Sequence, residues 1–161
     1  MKKFLFVVSF FFFLVSCSKP SVFTEESRTE KLVTLSGKEV VFKDVLEKHK
    51  GKKIVIDIWA SWCKDCIVRL PNLKQLQKDY PNVAFVFLSQ DTNIKSWKKG
   101  IQRFGLVGDH YFMTEKKKGP LGDFLNLWWI PRYVVVNELE DITLFKATKI
   151  TDNNILEALK K

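Results

Sequence analysis

The sequence predicts an α/β fold with a central mixed sheet flanked by helices, and three observations carry that expectation. Apolar runs at 54–60, 83–88 and 133–136 show no polar alternation, the pattern of strands covered on both faces. Between the first two, Ile67, Leu70, Leu73, Leu76 and Tyr80 recur at helical spacing before Pro81. That makes a strand–helix–strand unit with parallel strands and a right-handed crossover. Turn signals between short β-prone runs near both ends of the ordered chain add antiparallel hairpins. With 161 residues, 46% apolar side chains, 7 Gly and 5 Pro, one compact domain is expected, and collagen-like or wholly disordered readings fail.

The N-terminus is a separate object, holding 6 of the 14 Phe within its first 16 residues. Lys2 and Lys3 precede an apolar run of 12 residues, 4–15, broken only by Ser9 and followed by small residues. This is the order of a secretory signal, and the run falls short of the about 20 residues that a membrane span needs. Leu14, Val15, Ser16 and Cys17 resemble a bacterial lipobox, in which Cys17 receives lipid and begins the mature chain. Ordinary cleavage near Cys17, leaving a free thiol, is the alternative. Residues 1–16 are therefore read as a lipoprotein signal, 17–31 as lipid anchor and flexible tether, and 32–161 as the folded domain. Segment 18–31 is assigned to the tether because it has no apolar period.

Ordered structure is expected to begin with a hairpin, 32–35 and 40–42 around Ser36-Gly37-Lys38, and a short helix at 44–49 closed by Gly51. Pro71 falls within the helix of the parallel unit and is expected to kink it. A further helix at 93–104, capped by Gly105, leads to a strand at 110–113. Residues 116–119 read as a loop, 121–127 as a helix, 142–145 as the partner of the 133–136 strand, and 154–159 as the terminal helix.

Loss of the signal removes two lysines and takes the formal charge from +9 to +7. The lysines lie in short clusters without interleaved aromatics, which reads as solvated surface and not as a nucleic-acid site. With Cys17 set aside, two cysteines remain, Cys63 and Cys66, spaced CxxC. In an exported protein such a pair can be a structural staple, half of a metal site, a haem attachment or a redox dithiol. Haem attachment fails because Ile67, not His, follows Cys66. A zinc site lacks ligands, since His49 and His110 are isolated, so no metal is expected. A peroxidase motif is missing from Ala60-Ser61-Trp62-Cys63.

The segment Val55–Cys66, VIDIWASWCKDC, resembles thioredoxin: a strand ends at Ala60 and a Trp precedes CxxC at the mouth of a helix. Pro71 stands where thioredoxins kink that helix, and Trp129-Ile130-Pro131 stands where the fold places a cis-proline. The signal, the hairpin and the helix-strand segment 93–113 are similar to the TlpA/ResA family of membrane-tethered thioredoxin-like proteins. The resemblance implies a redox-active Cys63–Cys66 disulfide and no other cofactor. Cys63 would be the nucleophile, its thiolate favoured at a helix N-terminus, and Cys66 would resolve the mixed disulfide. Asp57 would be the buried acid that exchanges a proton with Cys66, its pKa raised by burial. Ile130 and Pro131 would offer a backbone edge to substrate, with Trp62 and Trp129 as an apolar rim. Those two tryptophans could equally be core, while Trp59, Trp97 and Trp128 are taken as core. Arg69 departs from the family, where a Glu is usual, and Lys64-Asp65 lacks the usual proline.

The expected function is thus a monomeric, lipid-anchored periplasmic thiol-disulfide oxidoreductase. It would reduce exported proteins and be recharged by a membrane thiol donor. An isomerase or oxidase of the same fold, and a non-enzymatic interaction lipoprotein with an inert CxxC, are the alternatives.

Overall fold

A computed structural model describes residues 19–160. The signal and Cys17 lie outside them. In chain order the elements are α1 (Glu25–Arg28), β1 (Lys31–Thr34), β2 (Glu39–Val41), α2 (Phe42–Lys48), β3 (Ile54–Trp59), α3 (Lys64–Val68), α4 (Leu70–Asp79) and β4 (Ala84–Ser89). They continue with α5 (Ile94–Phe104), β5 (Asp109–Met113), a 3-10 turn (Lys116–Lys118), α6 (Pro120–Leu125), β6 (Arg132–Val136), β7 (Ile142–Ala147) and α7 (Asn153–Lys160).

Among the described residues seven strands form one sheet in the order β2-β1-β5-β4-β3-β6-β7. β3, β4 and β5 run parallel; β6 is antiparallel to β3, and the two hairpins complete the mixed sheet. Every residue of β3 is buried, which is why its sequence shows no alternation. Its side chains still alternate in space. Val55 and Trp59 face a core built with Leu73, Leu76, Trp97, Ile155 and Leu159. Ile54, Ile56 and Ile58 face a second core with Phe42, Leu46, Leu121 and Leu125. Among the described residues no helix is long and apolar enough to cross a membrane.

Three expectations need correction. Part of the supposed tether is packed: Phe23, Ser27 and Glu30 are buried, Thr24 caps α1, and the Phe23 ring lies 4.9 Å from Phe42 and 5.3 Å from Phe124. A four-residue helix is too short to show a period, so one aromatic anchor went unread. Pro71 does not kink a continuous helix. α3 ends at Val68, Arg69 forms the joint, and Pro71 occupies the first turn of α4, where its missing N–H would have had no partner. Trp128 is not core; it is 81% exposed. Asn126 adopts a left-handed conformation (φ 50°) that ends α6, turning Leu127 inward and the next residue out.

The candidate active site

Strand β3 delivers its last residues to the carboxyl edge of the parallel strands, where open α/β sheets collect their reactive groups. Beyond Trp59 the chain turns through Ala60 and Ser61, and the Cys63 N–H donates to the Ala60 carbonyl (3.0 Å). Cys63 is the N-cap of α3, and its sulfur accepts from the Cys66 N–H at 3.1 Å. Cys63 and Cys66 are joined as a disulfide with Cα atoms 5.3 Å apart. In this form both are buried, 6% and 3% exposed, so exposure alone separates their roles weakly. Trp62, by contrast, projects into solvent at 60% exposure.

The Ile130–Pro131 peptide is cis, and the Ile130 carbonyl oxygen lies 3.8 Å from the Cys63 sulfur. In the disulfide this is a contact, because the sulfur carries no proton; a reduced thiol there could donate. Trp129 is 61% exposed beside it, while Trp59 and Trp97 are buried.

Asp57 lies on the same face of β3 as Val55 and Trp59, the face that carries the Cys helix. It is buried, its Oδ1 has no hydrogen-bond partner among the described residues, and burial pushes its pKa from 3.8 up to about 8. Tyr133 is directly opposite it in the β3–β6 register. Burial, reinforced by Asp57, drives the Tyr133 phenol far above its usual pKa, and Arg69 partly opposes the shift. Arg69 thus brings a guanidinium to the place where the family resemblance implied a carboxylate.

Sequence reasoning missed Asp91. This fully buried carboxylate follows β4 and reaches across to the loop before the cysteines. It accepts from the Ser61 N–H (3.1 and 3.2 Å), the Ser61 hydroxyl (2.6 Å) and the Ser89 hydroxyl (2.8 Å). Four acceptances explain why a charge is tolerated there. α5 closes on the same loop: a Cβ at Gly100 would stand 2.5 Å from the Ser61 Cβ and 3.3 Å from the Trp59 ring. The sequence signal was an Asp just past an apolar strand, at the edge where the neighbouring parallel strand also ends.

The family model described as thioredoxin-like matches residues 51–142. The thioredoxin-like protein YneN of Bacillus subtilis is 32% identical over 122 residues, covering 73% of this chain and 69% of that protein. The thiol-disulfide oxidoreductase ResA of Bacillus anthracis is 30% identical over 74 residues, 45% of this chain and 40% of ResA. A solution structure from Bacteroides vulgatus, assigned as a thiol-disulfide oxidoreductase, is 30% identical with a TM-score of 0.66 and covers 81% of this chain and 84% of its own. The thioredoxin domain of another oxidoreductase of that organism, 18% identical with a TM-score of 0.69, shares the fold over 90% of this chain and 97% of its own. The chain therefore belongs to the thioredoxin-like family, and its enzyme class is thiol-disulfide oxidoreductase.

Proposed function

We propose that the chain is an envelope thiol-disulfide reductase held at a membrane through Cys17, acting on disulfides of exported proteins. The observation that carries the reading is the Cys63–Cys66 pair at the mouth of α3, with the Ile130 carbonyl on one side and buried Asp57 on the same sheet face.

In the reducing cycle the Cys63 thiolate attacks one sulfur of a substrate disulfide, and the other sulfur leaves as a thiolate and takes a proton from water. The Cys66 thiol then passes its proton to the Asp57 carboxylate and attacks the Cys63 sulfur, expelling the second substrate sulfur. Two electrons have moved to the substrate and the enzyme disulfide has closed. An upstream dithiol reopens it, with protonated Asp57 returning its proton to Cys66. A pKa of about 8 suits a group that must hold and release a proton near neutrality. Trp62, Ile130 and Pro131 supply the platform on which a substrate strand can pair.

Insulin reduction tests the assignment. The wild-type chain should reduce insulin, Cys63→Ser should abolish the reaction, and Cys66→Ser should accumulate a mixed disulfide between Cys63 and an insulin chain. Absence of turnover with no trapped adduct would return the protein to the interaction-module reading. Cys17→Ser should move the chain out of the membrane fraction; unchanged fractionation would reject the anchor.

A further inference from the structure

Between the 3-10 turn and α6 lies a cleft of about 440 Å³, lined by Lys117, Lys118, Asp123, Leu127 and Trp128 among others. Its walls are closely fitted: a Cβ at Gly122 would collide with the Lys116 carbonyl, so the turn rests directly on the helix. Lys116 itself holds a left-handed conformation (φ 54°), and this brings two further lysines to the rim. The Lys117 ammonium stands 5.2 Å from the centre of the Trp128 ring, which is 81% exposed. Arg132 borders the same region, donating to the Asn126 carbonyl at 3.4 Å. The Asp123 carboxylate offsets part of this charge, but cations outnumber it. Exposed aromatic surface beside cations that have no ion-pair partner among the described residues fits a partner that brings both an apolar side chain and a carboxylate.

The position of the cleft says which partner. Trp128 is two residues before Ile130, so their Cα atoms are at most about 7 Å apart, and the Ile130 carbonyl touches the Cys63 sulfur. A polypeptide bonded to Cys63 that pairs along the Ile130 backbone and follows it back toward Trp128 leaves the cysteine face and meets the rim of this cleft at high local concentration. We propose that the cleft is a substrate subsite that takes an acidic and apolar stretch of the disulfide-bearing protein, about two to four residues from the cysteine that bonds to Cys63. The inference rests on the thiol-disulfide reading above and assigns its specificity.

The test uses the reduced full-length chain and synthetic peptides with one cysteine carried as a mixed disulfide with 5-thio-2-nitrobenzoate. Three series place Glu-Leu, Lys-Leu or Ala-Ala at positions two to four from the cysteine. The free bis-nitrobenzoate disulfide serves as the small substrate to which every rate is normalised. Each exposed ion pair is worth a few-fold at most, so two lysines should give the Glu-Leu peptide an advantage of about tenfold over Lys-Leu in kcat/KM, shrinking with added salt. Lys117→Glu/Lys118→Glu should erase or invert that order, and Trp128→Ala should reduce the advantage of the Leu-bearing peptides over Ala-Ala. Equal normalised rates for all three series, or a preference unchanged in the double charge reversal, would overturn the subsite. Failure of the wild type to react with the small disulfide as well would overturn the redox reading itself, and the subsite with it.

Discussion

Replacing Asp57 with Asn should change how stability responds to pH more than any other conservative substitution in the site. Burial raises the folded-state pKa from 3.8 to about 8, whereas the unfolded chain titrates at about 3.9. A raised pKa means that the folded state holds the proton more tightly. The contribution of this proton to stability is complete below about pH 4 and is lost as pH climbs through about 8, at about 1.4 kcal/mol per pH unit. At pH 7 the unfolded carboxyl is ionised and the folded one neutral, so wild type is weakened by about 4 kcal/mol relative to acid, and by about 6 kcal/mol above pH 8. Asn keeps the shape without titrating, at a cost of about 1–3 kcal/mol for a buried amide lacking partners. The two proteins should therefore be about equally stable near pH 5, with the variant gaining about 1–3 kcal/mol at pH 7 and more at pH 9. Urea unfolding of the oxidised proteins, followed by tryptophan fluorescence at the three pH values, measures this directly. Parallel stability curves from pH 5 to pH 9 would refute the claim that Asp57 is folded into the core as a neutral acid.

Gly100→Ala drives a methyl group to within 2.5 Å of the Ser61 Cβ and should cost about 1–3 kcal/mol while slowing insulin reduction; wild-type stability and rate would show that α5 does not brace the loop. Asp91→Asn removes a charged acceptor from Ser61 and Ser89 and should cost about 1.5–3 kcal/mol. Loss of a buried negative charge near the thiolate should also raise the reduction potential. Ser61→Ala, which leaves the charge in place, should not raise it, and equal potentials in all three proteins would reduce Asp91 to a structural role. For wild type, the unpaired N–H groups of the first turn of α3 and Lys64 favour the Cys63 thiolate while Asp65 opposes it. A potential between about −270 and −180 mV is expected, and equilibration in dithiothreitol buffers giving a value below about −300 mV would mark the pair as a staple.

What could be read from the sequence divides along physical lines. β3 and α4 were legible because burial on two faces and on one stripe leaves different patterns, and both residues of the dithiol lie in one short segment. Asp57 was legible as a charge inside an apolar strand. Asp91 was not, because it lies on a polar stretch and acquires its partner only when β4 lies beside β3. Trp128 could not be told from Trp129 or from core tryptophans by spacing, since the left-handed Asn126 resets the direction of every following side chain. The packing of 23–30 escaped for a similar reason: Phe23 and Glu30 are buried singly against distant elements, with no neighbours to form a pattern.

The docking of that N-terminal stretch would shorten the leash that the proposed lipid anchor puts on the domain. The Ile142 N–H donates to the Ser21 carbonyl at 2.6 Å, so the chain is fastened to β7 from residue 21 onward. With Cys17 in the lipid, at most about 14 Å of extended backbone would separate the anchor from that fastening. A domain moored as closely as the proposed anchor implies would not sweep the compartment for substrates. Under that proposal its encounters would be lateral, with partners that share the same membrane or come within a protein's width of it, and the choice of substrate would be made by geography before it is made by any side chain.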